Sequence, residues 1–207
     1  MASALANLIA DVNVGTALLL VAILIMQWVL LPCKNAKRIT LYLLPVLAIL
    51  FWLIPIYHGF TLVSLVRGTI GDLSISWLLL SIGLLGLYYA NLPFVLILPR
   101  PLCLLLFVMG LLLYLSTLGV INIDLYDLGY VPGTLFLLAV ALVIFLISRL
   151  NLLFATICLL SLISFYFKWQ HSTNLWDYLF DPCIWLLSLI QLVKPILSKG
   201  HKAACSW

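Results

Sequence analysis

Long runs of apolar residues, broken by short stretches that hold almost every charge, constrain this chain more than any other feature. The charges are few: ten Lys and Arg, six Asp and no Glu in 207 residues. Globular domains are about one quarter charged. Here the charged share is 8%, beside 66% hydrophobic residues and a mean hydropathy of +1.30. So few charges cannot cover a water-facing surface of this size, which excludes soluble enzymes, nucleic-acid binders and disordered tails. A transmembrane barrel would alternate apolar and polar residues in short strands, and these runs do not alternate. The expected fold class is all-α: a polytopic transmembrane helix bundle, one integral membrane domain over residues 1–207, with no soluble domain.

A bilayer core needs about 20 apolar residues per helix. On that ruler the spans cover residues 15–32, 39–57, 76–98, 101–121, 131–148, 150–167 and 182–197. Pro93 predicts a kink in the third, and the seventh is short and carries Lys194 and Pro195. Six spans plus an interfacial helix is therefore the alternative to seven. Leu5, Ile9 and Val12 share helical spacing, which suits a short interfacial helix ahead of the first span. The first basic residue is Lys34, so the first run reads as an uncleaved anchor and not as a secretory signal.

Orientation follows the bias of basic residues toward cytoplasmic loops. With the N-terminus outside, Lys34, Lys37, Arg38, Arg100, Arg149, Lys194, Lys199 and Lys202 all fall inside, and only Arg67 and Lys168 fall outside. The expected topology is N-out/C-in, with the net charge of +4 explained by membrane orientation and not by nucleic acid. All six aspartates then lie outside with His58 and His171, so the polar chemistry belongs to the outer face. The short loops and this bias point to a plasma membrane of bacterial inner-membrane type, its longer loops periplasmic.

Five cysteines (Cys33, Cys103, Cys158, Cys183, Cys205) show no CxxC pair. No HxxxH, HExxH or EF-hand spacing occurs, and neither a GxSxG elbow nor a Gly-rich phosphate loop is present. The expectation is no disulfide framework, no metal and no cofactor. Asp11, Asp72, Asp127 and Asp181 precede the four spans that start outside, where an Asp can cap free backbone N–H groups. Asp181-Pro182 has the strongest form, a cap followed by proline at the first helical position. Gly83, Gly86 and Ala90 in the third span, and Gly110 in the fourth, predict close helix approach.

What remains is a candidate outer-face site: His58, Arg67, Asp124, Lys168, His171, Trp176 and Asp177. They lie on the outer loops, most of them within two segments of unusual make-up. The first, His58 to Asp72, has a nearly all-apolar middle, Phe60 to Val66, bracketed by glycines, as an interfacial or re-entrant element would be. Lys168 to Asp181 mixes aromatics, two acids, a histidine and amides, denser in hydrogen-bonding groups than an aromatic belt requires. Arg67 and Lys168 could hold an anionic lipid headgroup, with His58, His171, Asp124 or Asp177 as acid and base. No intramembrane carboxylate or histidine supplies a proton relay, which weighs against ion-coupled transport.

These features imply, first, an accessory or structural subunit of a membrane or cell-envelope complex, engaging a membrane-protein partner through its spans and outer loops. An enzyme working at the outer leaflet on a lipid or lipid-linked phosphate is the alternative, and a small-solute carrier or channel the second alternative.

Overall fold

The computed structural model describes residues 2–30, 36–90, 92, 98–130 and 132–204. Lys34 and the proline of the expected kink, Pro93, lie outside the described residues. The chain forms two compact units, Met1–Leu73 with Trp169–His171, and Ser74–Lys168 with Ser172–Trp207. Both are predominantly helical.

The first unit contains α1 (Ala2–Leu30), α2 (Ala36–Leu53), a small antiparallel pair β1 (Pro55–Tyr57) and β2 (Phe60–Thr61), and α3 (Leu62–Ile70). The expected interfacial helix ahead of the first span is not separate: α1 runs unbroken from Ala2. Its buried face is also different from the expected one. Ala6, Ala10, Asn13 and Val14 are buried and Leu5 is exposed, because small side chains let α2 and α3 pack closely on α1. Gly15 makes the closest approach, with the Trp52 indole of α2 where a Cβ would stand.

Helix α2 stops at Leu53, short of the expected Tyr57. The residue before a proline disfavours helical backbone, and Pro55 follows Ile54. The chain turns back through His58 and Gly59, both in left-handed backbone, as a two-residue hairpin loop requires. Thr61 then caps α3, its Oγ1 accepting from Ser64 N at 3.3 Å, the usual role of a threonine at this position. The segment left open between re-entrant and interfacial is thus a hairpin followed by a nine-residue helix against α1 and α2.

The second unit holds α4 (Ile75–Tyr89), α5 (Arg100–Thr117), a 3-10 turn at Asp127–Gly129, α6 (Thr134–Leu150), α7 (Leu152–Tyr166), α8 (Trp176–Leu179) and α9 (Pro182–Ala204). Helix α5 packs on α9, α6 on α7, and α4 on α7. The turn between α6 and α7 falls at Asn151, just inside the expected start of the sixth span at residue 150. Asn151 N donates to Ile147 O at 2.7 Å to close α6, and Asn151 Oδ1 accepts from Phe154 N at 2.9 Å to open α7. Arg149 sits in the last turn of α6, where a cation faces the negative end of the helix. A buried serine pair, Ser76 Oγ and Ser161 Oγ at 2.8 Å, joins α4 to α7.

Gly110 behaves as expected and Gly86 does not. A Cβ on Gly110 would meet Trp185 and Phe180, whereas one on Gly86 would meet nothing within 4 Å. Trp185 is held there by stacking on Phe107 (5.7 Å between centroids) and by donating its Nε1–H to Phe107 O at 3.1 Å.

Seven helices, α1, α2, α4–α7 and α9, overlap the seven expected spans. Two described stretches, Ala4–Ala22 and Arg100–Thr117, are long and apolar enough to cross a membrane; α4, α6, α7 and Pro182–Val193 are apolar but shorter.

Candidate functional site

The seven sequence candidates divide between the two units. In the first unit Arg67 is the centre of a cluster. It lies in the last turn of α3, a favourable place for a cation. Its Nε donates to Asp72 Oδ1 at 2.7 Å, Nη1 to Asp11 Oδ1 at 3.0 Å and Nη2 to Asn7 Oδ1 at 3.0 Å. The hydrogen bond to Asp72 contributes most to raising the Arg67 pKa above its ordinary value, against partial burial. His171 joins through Nε2, 3.0 Å from the same Asn7 oxygen.

This arrangement corrects two capping expectations. Asp11 is not ahead of a helix but in the body of α1, paired with Arg67. Asp72 also pairs with Arg67, while Ser74 caps α4 by accepting from Trp77 N at 3.0 Å. The guanidinium therefore arrives at its site with all three nitrogens engaged, two of them on carboxylates. Arg67→Ala is expected to lower stability by about 1 kcal/mol, the upper range for an exposed ion pair. Thermal unfolding in detergent measures it, and complete failure to fold would contradict the partly exposed position of the cluster.

In the second unit Asp177 of α8 accepts from Tyr126 Oη at 2.7 Å and from Ser172 Oγ at 2.5 Å. Burial, then the bond to Asp177, pushes the Tyr126 phenol far above its ordinary value, so Tyr126 remains the donor. Asp124 is a turn residue: its Oδ1 accepts from Tyr126 N and Asp127 N, each at 3.0 Å. Asp127 opens the 3-10 turn and does not cap α6, whose N-cap is Gly133.

The loops carrying these residues are stitched by further bonds. Trp176 Nε1 donates to Leu125 O at 2.9 Å, Asn174 Nδ2 to Tyr126 O at 3.0 Å, and Leu175 N to Gly129 O at 2.9 Å. Gly129 lies so close to Asn174 and Trp176 that no Cβ fits.

Asp181 is the capping expectation that the structure places as foreseen. Its Oδ1 accepts from Ile184 N at 2.9 Å at the start of α9, and Oδ2 accepts from both Ser74 N (2.9 Å) and Ser74 Oγ (2.7 Å). One carboxylate thus ties together the beginnings of α9 and α4. Burial raises its pKa, and the hydrogen bonds from Ser74 and Ile184 oppose the rise.

His58 forms the hairpin turn, its ring edge-on to Tyr57 at 4.2 Å. Lys168 closes α7 in left-handed backbone, its N–H bonded to Phe165 O.

The second unit also contains a feature that no sequence candidate except Trp176 touches. A cavity of about 140 Å³ lies among α5, α6 and α7, with α8 and Phe180 at one end. Leu106, Val140, Ile147, Phe154 and Trp176 are among its lining residues, with Cys158 on the α7 side. Trp176 meets Phe136 of α6 edge to face at 5.6 Å. No spacing signal could have revealed this space, because its lining residues are the same Leu, Val, Ile and Phe that fill any apolar helix.

Comparison with family models, with curated proteins and with solved structures returns no significant match to this chain.

Proposed function

We propose that this chain is a multi-pass accessory subunit of a membrane or cell-envelope complex, with α1, α2, α4–α7 and α9 crossing the bilayer N-out/C-in. The setting is a bacterial-type inner membrane, with the longer loops on the periplasmic side. The observation that carries the accessory role is the state of the outer-loop polar groups. Arg67 has three partners, Asp177 two hydroxyls, Asp124 two backbone donors, and Asp181 three donors. Groups matched in this way hold loops and helix ends in place. A phosphate-binding enzyme would have to break the Arg67 ion pairs before gripping its substrate, and a polar solute would find no hydrogen-bonding path in an apolar cavity.

Membrane residence is supported by the side-chain exposure of α6. Leu135, Leu138 and Leu142 are 84%, 62% and 58% exposed, with Phe145 and Leu146 continuing the same flank. So contiguous an apolar face favours lipid or a protein partner over water. Helix α1, at 29 residues, is about 44 Å long, exceeding a hydrocarbon core of about 30 Å. Its first turns, with Asn7 and Asp11, then extend past the outer boundary to meet Arg67.

Alkaline carbonate washing of membranes from expressing cells is expected to leave the chain in the pellet. Purification in a mild detergent is expected to retain a second membrane protein in fixed ratio. Release into the carbonate supernatant overturns the membrane reading, and a lone chain in mild detergent overturns the subunit reading.

A further inference from the structure

We infer that the cavity among α5, α6 and α7 is a binding slot for a single hydrocarbon chain of an outer-leaflet lipid, a reading that rests on the membrane placement proposed above. Its lining reaches along α6 from Phe136 to Ile147. That interval rises about 16 Å, close to half of a hydrocarbon core of about 30 Å. The lining thus covers a depth comparable with one leaflet. The slot's volume, about 140 Å³, is similar to the ~150 Å³ apolar void that takes up benzene in preference to water, so the enclosed part holds a benzene-sized stretch of the chain and the remainder lies along the opening.

One end is defined by Trp176 and Phe180, next to the Tyr126–Asp177–Ser172 bonds that on this topology mark the outer side. Ala139 is both part of the lining and exposed, between the exposed Leu138 and Leu142, so the slot opens on the apolar flank of α6. A chain entering from the bilayer leaves hydrocarbon for hydrocarbon and fills a space that otherwise lacks van der Waals partners. The polar atoms near the Trp176 end are already matched: the Trp176 indole N–H bonds Leu125 O, and Asp177 bonds two hydroxyls. The slot therefore recognises the chain and not the headgroup.

The test reconstitutes the full chain in phosphatidylcholine vesicles doped with a phosphatidylcholine bearing a diazirine near the end of one acyl chain. After irradiation, adducts are mapped by peptide mass spectrometry. Adducts are expected on the lining residues Met109, Val143 and Cys158 as well as on the outward Leu135 and Leu142. Ala139→Phe, which fills the slot, is expected to lose the lining adducts and keep the outward ones. Val143→Phe serves the same purpose should the first variant not fold, as judged by circular dichroism. A phosphatidylglycerol probe with the same chain is expected to give the same pattern.

Outward adducts without lining adducts overturn the slot while leaving membrane placement intact. Lining adducts that persist in a folded filled variant also overturn it, and lining adducts confined to one headgroup overturn chain-only recognition. Absence of adducts on both surfaces points instead to failure of the membrane reading.

Discussion

Asp181→Ala is expected to destabilise the protein by about 3 kcal/mol, combining loss of a helix cap (~1 kcal/mol) with two buried donors left unmatched. Asp181 is 7% exposed and accepts from Ile184 N, Ser74 N and Ser74 Oγ. Removing the carboxylate orphans the first turn of α9 and the cap residue of α4 in one step. Asp181→Asn should fall between: its carbonyl oxygen can keep one side of the site, but its amide N–H groups then face donors on the other. Asp127 stands at an exposed turn. Its replacement by alanine is expected to change stability by no more than about 0.5 kcal/mol, the usual range for a surface substitution.

Thermal or denaturant unfolding in a fixed detergent ranks the three variants. If Asp181→Ala unfolds with the parent, the carboxylate is not the tie described. The pH dependence has a defined sign. Burial places the folded-state pKa above the unfolded one, so the stability contributed by protonation is complete below the ordinary carboxylate value. It is lost as pH rises through the folded value. Lowering the pH should therefore improve the parent relative to Asp181→Asn.

Gly110→Val carries the second large effect, about 2–3 kcal/mol, near the top of the range for overpacking a filled core. The obstacle is rigid. Phe180 Cε1 would lie 2.7 Å from a new Cβ, with the Trp185 indole nearer still. Trp185 cannot retreat without giving up its stack on Phe107, its edge contact with Tyr114 (5.2 Å) and its bond to Phe107 O. The expected outcome is separation of α5 from α9, read as a lower unfolding midpoint in a fixed detergent. Gly86→Ala provides the contrast, because the space around it is open. There the substitution removes the helix cost of glycine, up to about 1 kcal/mol. Equal damage at both positions would mean that the α5–α9 approach is not what makes Gly110 necessary.

These two glycines illustrate where sequence reasoning stops. Both sit in apolar runs, and both carry the same local signal for close packing. Only the positions of Phe180 and Trp185, far along the chain from Gly110, distinguish them. The aspartates repeat the lesson. Four of them precede apolar runs, and position along the chain cannot separate the one that caps, Asp181, from Asp11 and Asp72, which are taken by Arg67. Arg67 itself was legible as an outlier among the basic residues, but not its three partners on α1 and just beyond α3.

Apolar run length and the punctuation between runs were sufficient to locate the long helices. The chain's composition leaves few alternatives, and backbone hydrogen bonding in an apolar setting favours helix wherever the run is long enough. The ends were less accurate, at Leu53 and Asn151, because a proline or an asparagine acts on one or two residues while the hydrophobic signal averages over many. The partners of the polar groups, and the slot beside Trp176, depended on tertiary packing. Both arise from segments distant in sequence, and neither a hydrogen bond across that separation nor an unfilled volume has any local signature.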